Sequence, residues 1–227
     1  MTWDEFIKQE GNKDYFKALK TFIKEERATK KIYPKPEEIF NPFRYCPIDE
    51  IKVVILGSEP YAVDVNDGLA WSVRGQKISP ALANIFKEIH DQDPHVKGCH
   101  IDDLFKRNQL MSWALDGVLL WNVVVTVEDG KVGSHKDKGW ENFTIEMIKM
   151  LNKEKKNVVY MLWGKAAREM TPFIDPQNNL VLLATNPHPK MASKGGWYKN
   201  RHFIQCKEYI NKHFYNKKLP PLWFILK

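Results

Sequence analysis

The sequence predicts an α/β fold, a single domain over residues 1–227 built on a central parallel four-stranded sheet with helices on both faces. Three observations lead there. Four short apolar runs, Lys52 to Leu56, Val118 to Trp121, Val158 to Trp163 and Leu180 to Ala184, lack clean alternation, as strands covered on both faces do. Helical patterns separate them, and strands that alternate with helices need crossover connections, hence a parallel sheet. No internal repeat, low-complexity tract or linker divides the chain.

In order along the chain, Phe6 to Glu26 reads as one or two amphipathic helices ahead of the first strand. Pro80 to Ile89 carries Leu82, Ile85, Phe86 and Ile89 at helical spacing, and Asn142 to Leu151 carries Phe143, Met147, Ile148 and Leu151. A length of 227 residues with 43% hydrophobic and 28% charged content is that of an ordinary globular domain, which excludes disorder, collagen and coiled coil. No apolar stretch approaches the roughly 20 residues of a membrane helix, and Met1-Thr2-Trp3-Asp4-Glu5 lacks the basic and apolar regions of a signal peptide. A cytoplasmic protein, or a nuclear one in a eukaryote, is expected, with no membrane partner and a monomeric state. Cys46, Cys99 and Cys206 are odd in number and far apart, so neither a disulfide framework nor a CxxC-type metal site is expected. The chemistry should need no metal and no cofactor.

Charge narrows the function. The net charge is +7, and between Asn186 and Lys218 eight basic residues (Lys190, Lys194, Lys199, Arg201, Lys207, Lys212, Lys217, Lys218) face one acid, Glu208. Such a run serves equally as a plain solvated face. Interleaved Gly195, Gly196, Trp197, Tyr198, Asn200 and His202 favour a polyanion surface, because Lys and Arg attract phosphates while aromatic rings offer stacking planes.

Each strand runs into a polar segment: Gly57-Ser58-Glu59-Pro60-Tyr61, Asn122, Gly164-Lys165 and Thr185-Asn186-Pro187-His188-Pro189. Ligands of open α/β sheets bind beyond the carboxyl ends of the strands, so an acid, an aromatic ring, an amide and an imidazole should share one cleft. Singly, each has an ordinary explanation as a turn, a cap or a loop residue. Their common placement is the signal.

These segments resemble the motifs of family 1 uracil-DNA glycosylases. The resemblance runs from Trp3 to Pro220-Pro221-Leu222-Trp223 and is carried most specifically by Pro36 to Asn41, Val53 to Gly57, Gly68-Leu69-Ala70-Trp71-Ser72-Val73, Asn84-Ile85-Phe86-Lys87-Glu88, Gly117 to Asn122, Ser134-His135-Lys136 with Gly139-Trp140-Glu141, Leu162-Trp163-Gly164 and His188-Pro189. It implies hydrolysis of the bond between uracil and deoxyribose in single- or double-stranded DNA, leaving an abasic site in base excision repair. It also implies recognition by acidic DNA-mimic inhibitor proteins.

Several positions depart from the family pattern. Gly57-Ser58-Glu59-Pro60-Tyr61-Ala62 stands where the family's water-activating loop reads Gly-Gln-Asp-Pro-Tyr-His, and Trp71 stands for the usual phenylalanine. Ala81 and Lys165 replace phosphate-loop serines, and Ala192 occupies the place of the leucine wedge. Ser58 and Ala62 are smaller than the residues they replace, which leaves room for a modified pyrimidine.

The resemblance assigns roles residue by residue. Glu59 lies beneath the sugar, where a carboxylate favours oxocarbenium character and positions or deprotonates water. His188, expected as a neutral imidazole, donates to the developing uracil oxyanion. Asn122 offers a donor and an acceptor to uracil's O4 and N3–H. Tyr61 fills the space of a thymine methyl, Trp71 stacks on the base, and Ser58 lines the pocket. Lys165, Met191, Ala192, Ser193, Lys194, Lys199 and Arg201 meet the DNA, with Met191 and Trp197 as the two candidates to fill the vacated base stack. Ser58, Glu59, Ala62 and Ala192 also fit an alternative, a DNA-binding or partner-recruiting module with weak or no excision. An enzyme of free nucleosides is a third reading, but GxGxxG and GxxxxGK loops are both missing.

Overall fold

Helix α1, Trp3–Gly11, begins at a reciprocal cap: Glu5 N–H donates to Thr2 Oγ1 and Thr2 N–H to the Glu5 carboxylate, pairing two backbone donors that a helix start leaves open. A turn at Asn12-Lys13 separates it from α2, Asp14–Thr29, so the predicted amphipathic stretch is two helices. The computed structural model describes residues 1–75, 77–92 and 109–214. Cys99, Lys217, Lys218 and Pro220-Pro221-Leu222-Trp223 lie outside those residues.

After β1 (Ile32–Tyr33) and the short α3 (Asn41–Tyr45), the chain enters β2 (Val53–Gly57). There follow α4 (Pro80–Gln92), α5 (Met111–Leu115), β3 (Val118–Asn122), β4 (Val127–Glu128), α6 (Trp140–Glu154), β5 (Val159–Trp163), α7 (Lys165–Arg168), β6 (Leu180–Ala184), α8 (Pro189–Ala192) and α9 (His202–Phe214). Four strands form one parallel sheet in the order β3-β2-β5-β6, as expected. Each predicted strand lies within a residue of its observed span. The antiparallel pair β1–β4 was not foreseen; two residues per strand are too few to display a period.

Alternate residues of each strand enter opposite cores. Val53, Ile55, Val118, Leu120, Met161 and Trp163 pack toward α4, α5 and α9. Val54, Leu56, Leu119, Trp121, Tyr160 and Leu162 pack toward α1, α2, α3 and α6. Because both faces are covered, every residue of the three strands β2, β3 and β5 is buried, which is why the sequence showed solid apolar runs rather than alternation. On the second face Phe43 stacks between Trp3 and Trp121, at ring separations of 3.8 and 4.6 Å.

On the first face Trp163 donates its indole N–H to His202 Nδ1 at 3.0 Å and meets Trp197 edge-on at 5.1 Å. Burial pushes the His202 imidazole down to about 4, against the opposing pull of the Leu183 carbonyl. Between that value and the ordinary 6.5 the unfolded chain binds a proton that the folded chain does not, so stability falls as pH falls through this window. The full separation corresponds to about 3 kcal/mol at pH 4. Thermal unfolding followed from pH 7 to pH 4 should therefore show a falling Tm, and His202→Gln, which retains an acceptor for Trp163, should flatten that fall.

Candidate active site

The connection from β2 leads to β3 on one side of the sheet, and the chain then crosses to β5 and β6 on the other. The carboxyl ends of β2 and β5 consequently flank the switch point, where α/β sheets open a crevice. Ser58 follows β2 there. A Cβ on Gly164, which follows β5, would lie 3.1 Å from Ser58 Oγ and 3.4 Å from Asn186, so the ends of β2, β5 and β6 converge.

Gly57 ends β2 opposite Asn122 of β3. A Cβ at position 57 would stand 2.3 Å from Asn122 Oδ1 and 3.2 and 3.3 Å from Trp71 Cζ2 and Cε2. The Asn122 amide and the Trp71 ring therefore meet in the space that the missing side chain leaves. Asn122 is 7% exposed, yet its amide has no hydrogen-bond partner among the described residues. The Trp71 indole N–H is buried without a partner among the described residues.

Trp71 is held from behind. Ala70 N–H donates to Leu120 O, Asp67 accepts from Leu69 N–H and Ser72 Oγ, and Asn41 Nδ2 donates to Asp67 O. Its ring rests on Trp163 at 5.9 Å, and its φ of +70° is a left-handed conformation that costs a non-glycine residue about 1 kcal/mol or more. Trp71 is thus both core and cleft wall.

Tyr61 hydrogen-bonds Ser79 Oγ at 2.7 Å, and the same Oγ caps α4 by accepting Leu82 N–H. Asn66 ties the loop, accepting from Tyr61 N–H and donating to the carbonyls of Tyr61 and Val63. Burial pushes the Tyr61 phenol up to about 12, so it stays protonated. Ala62 is buried against Tyr33 and Val127.

Glu59 accepts the Gly133 N–H at 2.7 Å. The loop that presents Gly133 is anchored inside the protein, where Trp140 Nε1 donates to Thr126 Oγ1 and Thr126 Oγ1 bonds His135 Nδ1, each at 2.7 Å. Burial holds the Glu59 carboxyl above the usual carboxylate range, with the Gly133 bond opposing. Ser58 and Glu59 line a cavity of about 180 Å³ with Gly133, Lys136 and Glu169; Trp71 and Asn122 do not border it.

His188 caps α8 from an exposed position. Its N–H donates to Asn186 Oδ1 at 2.8 Å, and Lys190 N–H points to its Nδ1 at 3.4 Å. An Nδ1 that accepts leaves the proton of a neutral ring on Nε2. Behind it, Thr185 N–H and Oγ1 donate to the carbonyls of Gly196 and Gly195. A Cβ on Gly196, whose φ is +80°, would come within 2.9 Å of Thr185 Cγ2, which fastens the 193–201 loop to the end of β6. Lys199 and Arg201 are also left-handed, with φ of +62° and +60°.

The structure brings Trp71 and Asn122 together, sets Ser58 and Glu59 in an adjoining cavity, and leaves His188, Lys165, Ser193, Lys194, Lys199 and Arg201 at the surface. Two residues sit elsewhere than the sequence suggested. Ala192 is 1% exposed and Trp197 0%, both packed in the core, whereas Met191 is 41% exposed. Neither buried side chain can enter a base stack. Sequence reasoning also missed Ser79, Asn66 and the Gly133 N–H. Ser79 carried a signal, a serine immediately before the Pro80 that opens a helix; the other two act through loop geometry.

Comparison with known proteins gives the family and the fold. The model of the Uracil DNA glycosylase superfamily matches residues 43–212. A uracil-DNA glycosylase of Borreliella burgdorferi (strain ZS7) is 44% identical over 216 residues, covering 93% of each chain. One from Geobacillus kaustophilus (strain HTA426) is 39% identical over 213 residues, covering 93% of this chain and 90% of that one. The crystal structure of mimivirus uracil-DNA glycosylase superposes with a TM-score of 0.83 at 24% identity, over 97% of this chain and 85% of that one; at that identity the likeness speaks for the fold. From the family match and these near full-length relatives together, the chain belongs to the uracil-DNA glycosylase superfamily.

Proposed function

We propose that this chain hydrolyses the N-glycosidic bond of uracil in DNA, as a family 1 type enzyme with an altered water-activating loop and no leucine wedge. The observation that carries this reading is the Asn122 amide, which makes no hydrogen bond among the described residues and stands beside the ring of Trp71, whose own indole N–H is buried without a partner among those residues. Asn122 is only 7% exposed, and a planar base with its own donor and acceptor edge offers its amide both of the hydrogen bonds it can make there. Uracil stacked on Trp71 meets Asn122 with N3–H and O4; cytosine presents the reverse pattern at those positions.

Bond cleavage places positive charge on the sugar and negative charge on the departing base. Glu59 stabilises the sugar and takes a proton from the water that adds to C1′, while the electrons of the broken bond leave with uracil. His188 donates from Nε2 to the uracil oxyanion, a bond that strengthens as charge develops. Tyr61 blocks the thymine methyl. Lys165, Ser193, Lys194, Lys199 and Arg201 hold phosphates, and Met191 replaces the wedge. Residues 1–227 act as one monomeric domain in the cytoplasm. A single-residue variant of the mimivirus enzyme has been solved in complex with UGI, which supports the expected inhibitor protein as a partner of this chain.

The direct test is single-turnover incubation with a uracil-containing oligonucleotide in EDTA, followed by alkaline cleavage of abasic sites. Strand breaks only after alkali are expected. Binding without any alkali-labile site would favour the DNA-binding module instead.

Three further outcomes follow. Glu59→Gln should slow excision by roughly 100-fold or more with little change in DNA affinity. In the parent the rate should fall as pH drops through a Glu59 value raised above the carboxylate range, and this limb should vanish in the variant. Asn122→Asp should weaken uracil excision and admit cytosine, Tyr61→Ala should admit thymine, and Gly57→Ala should displace both Asn122 and Trp71; substrate profiles measure all three. Replacing Lys194, Lys199 and Arg201 together should weaken uracil-containing and uracil-free DNA alike and flatten the salt dependence, because phosphate contacts carry no base information.

A further inference from the structure

We propose that Asn84 is a positioning residue that holds His188 in its working place and joins the His188 loop to the basic 197–201 loop through helix α4. The inference rests on the reading of His188 given above. Asn84 Nδ2 donates to Pro187 O at 2.8 Å. The next atoms along the chain form the N–H of His188, which donates to Asn186 Oδ1 at 2.8 Å. The peptide unit between Pro187 and His188 is therefore gripped at both its polar ends, from two different elements. Pro187 and Pro189 on either side fix their own φ angles, so the setting of this peptide plane governs the direction in which the His188 side chain leaves the backbone.

The same side chain faces the second loop. Tyr198 Oη donates to Asn84 Oδ1 at 3.2 Å, and Trp197 Nε1 donates to Asn84 O at 3.3 Å. One turn further along α4, the buried carboxylate of Glu88 accepts Asn200 N–H at 3.0 Å. Lys87, between them, lies 5.6 Å over the Tyr198 ring. The amide thus spends its donor on the imidazole loop and its acceptor on the phosphate-facing loop, and a structural role confined to α4 would call for neither.

Displacing a catalytic group by about an ångström costs on the order of 100-fold in rate. Asn84→Ala should accordingly lower the single-turnover rate at saturating enzyme by roughly 10- to 100-fold. Affinity for uracil-free DNA should change little. Asn84→Asp, which keeps size and the acceptor for Tyr198 but opposes an oxygen to Pro187 O, should fall similarly and serves if the alanine variant fails to fold. Tyr198→Phe removes only the other bond and should leave the rate near the parent's.

The deciding measurement is the double-mutant cycle with His188→Ala. Asn84→Ala, or Asn84→Asp in its place, should have little further effect once the imidazole is gone. An equal loss in both backgrounds would overturn the proposal, because it would mark a general structural role. If His188→Ala alone keeps the parental rate, the role given to His188 fails, and the positioning role falls with it; the single variant tells the two failures apart.

Discussion

The site depends on the absence of a side chain at residue 57. Parallel pairing sets Gly57 directly opposite Asn122, and only a hydrogen at that point lets the amide and the Trp71 ring approach over the strand end. The rest of the arrangement maintains that approach. Asp67, Ser72 and Asn41 brace the segment behind Trp71, and Trp163 supports its ring from the core. The fully buried strands β2, β3 and β5 supply a rigid base, since close-packed interiors yield little to local strain.

Elsewhere buried polar groups are of both kinds: Tyr160 Oη and Arg27 Nε have no hydrogen-bond partner among the described residues, while others are occupied. Thr126 and His135 pair with each other, Trp121 bonds Thr144, and Asn179 accepts Val158 N–H. The Asn122 amide differs in standing at a strand end beside an aromatic ring, which is the ground for the proposed reading of it as a base-binding group. Glu59 departs in a different manner: it is satisfied by Gly133 and lies in a cavity beside the cleft, a geometry suited to water as much as to a base.

The sheet was legible because four apolar runs of near-equal length cannot be mistaken for helices once flanked by turn residues, and their burial on two faces erases alternation. The two-residue strands Ile32–Tyr33 and Val127–Glu128 were not legible, since they arise from the closure of loops and not from any period. In the candidate site, Asn122 was expected from its position after a strand and Trp71 from the resemblance, but their mutual approach depends on the register between β2 and β3, which no linear pattern states. Ala192 and Trp197 were misplaced for a related reason: which side of the short helix α8 and of the loop after it faces inward depends on docking against Thr185 and Asn84, contacts that join distant parts of the chain.

Glu88 has a mechanical consequence. It is 2% exposed, and its carboxylate is occupied by Asn200 N–H and the Gln92 amide. Peeling the basic loop away from α4 would strand that carboxylate in an apolar setting, a change costing several kcal/mol. On the proposed reading of this loop as the surface that receives DNA, the receiver is stiff and compliance comes from the nucleic acid. A rigid receiver favours nucleotides that leave their stack cheaply, so single strands and mispaired uracils should be engaged before uracils in well-stacked pairs. Preference among sites would then arise from the softness of the DNA and not from any base-reading by the loop.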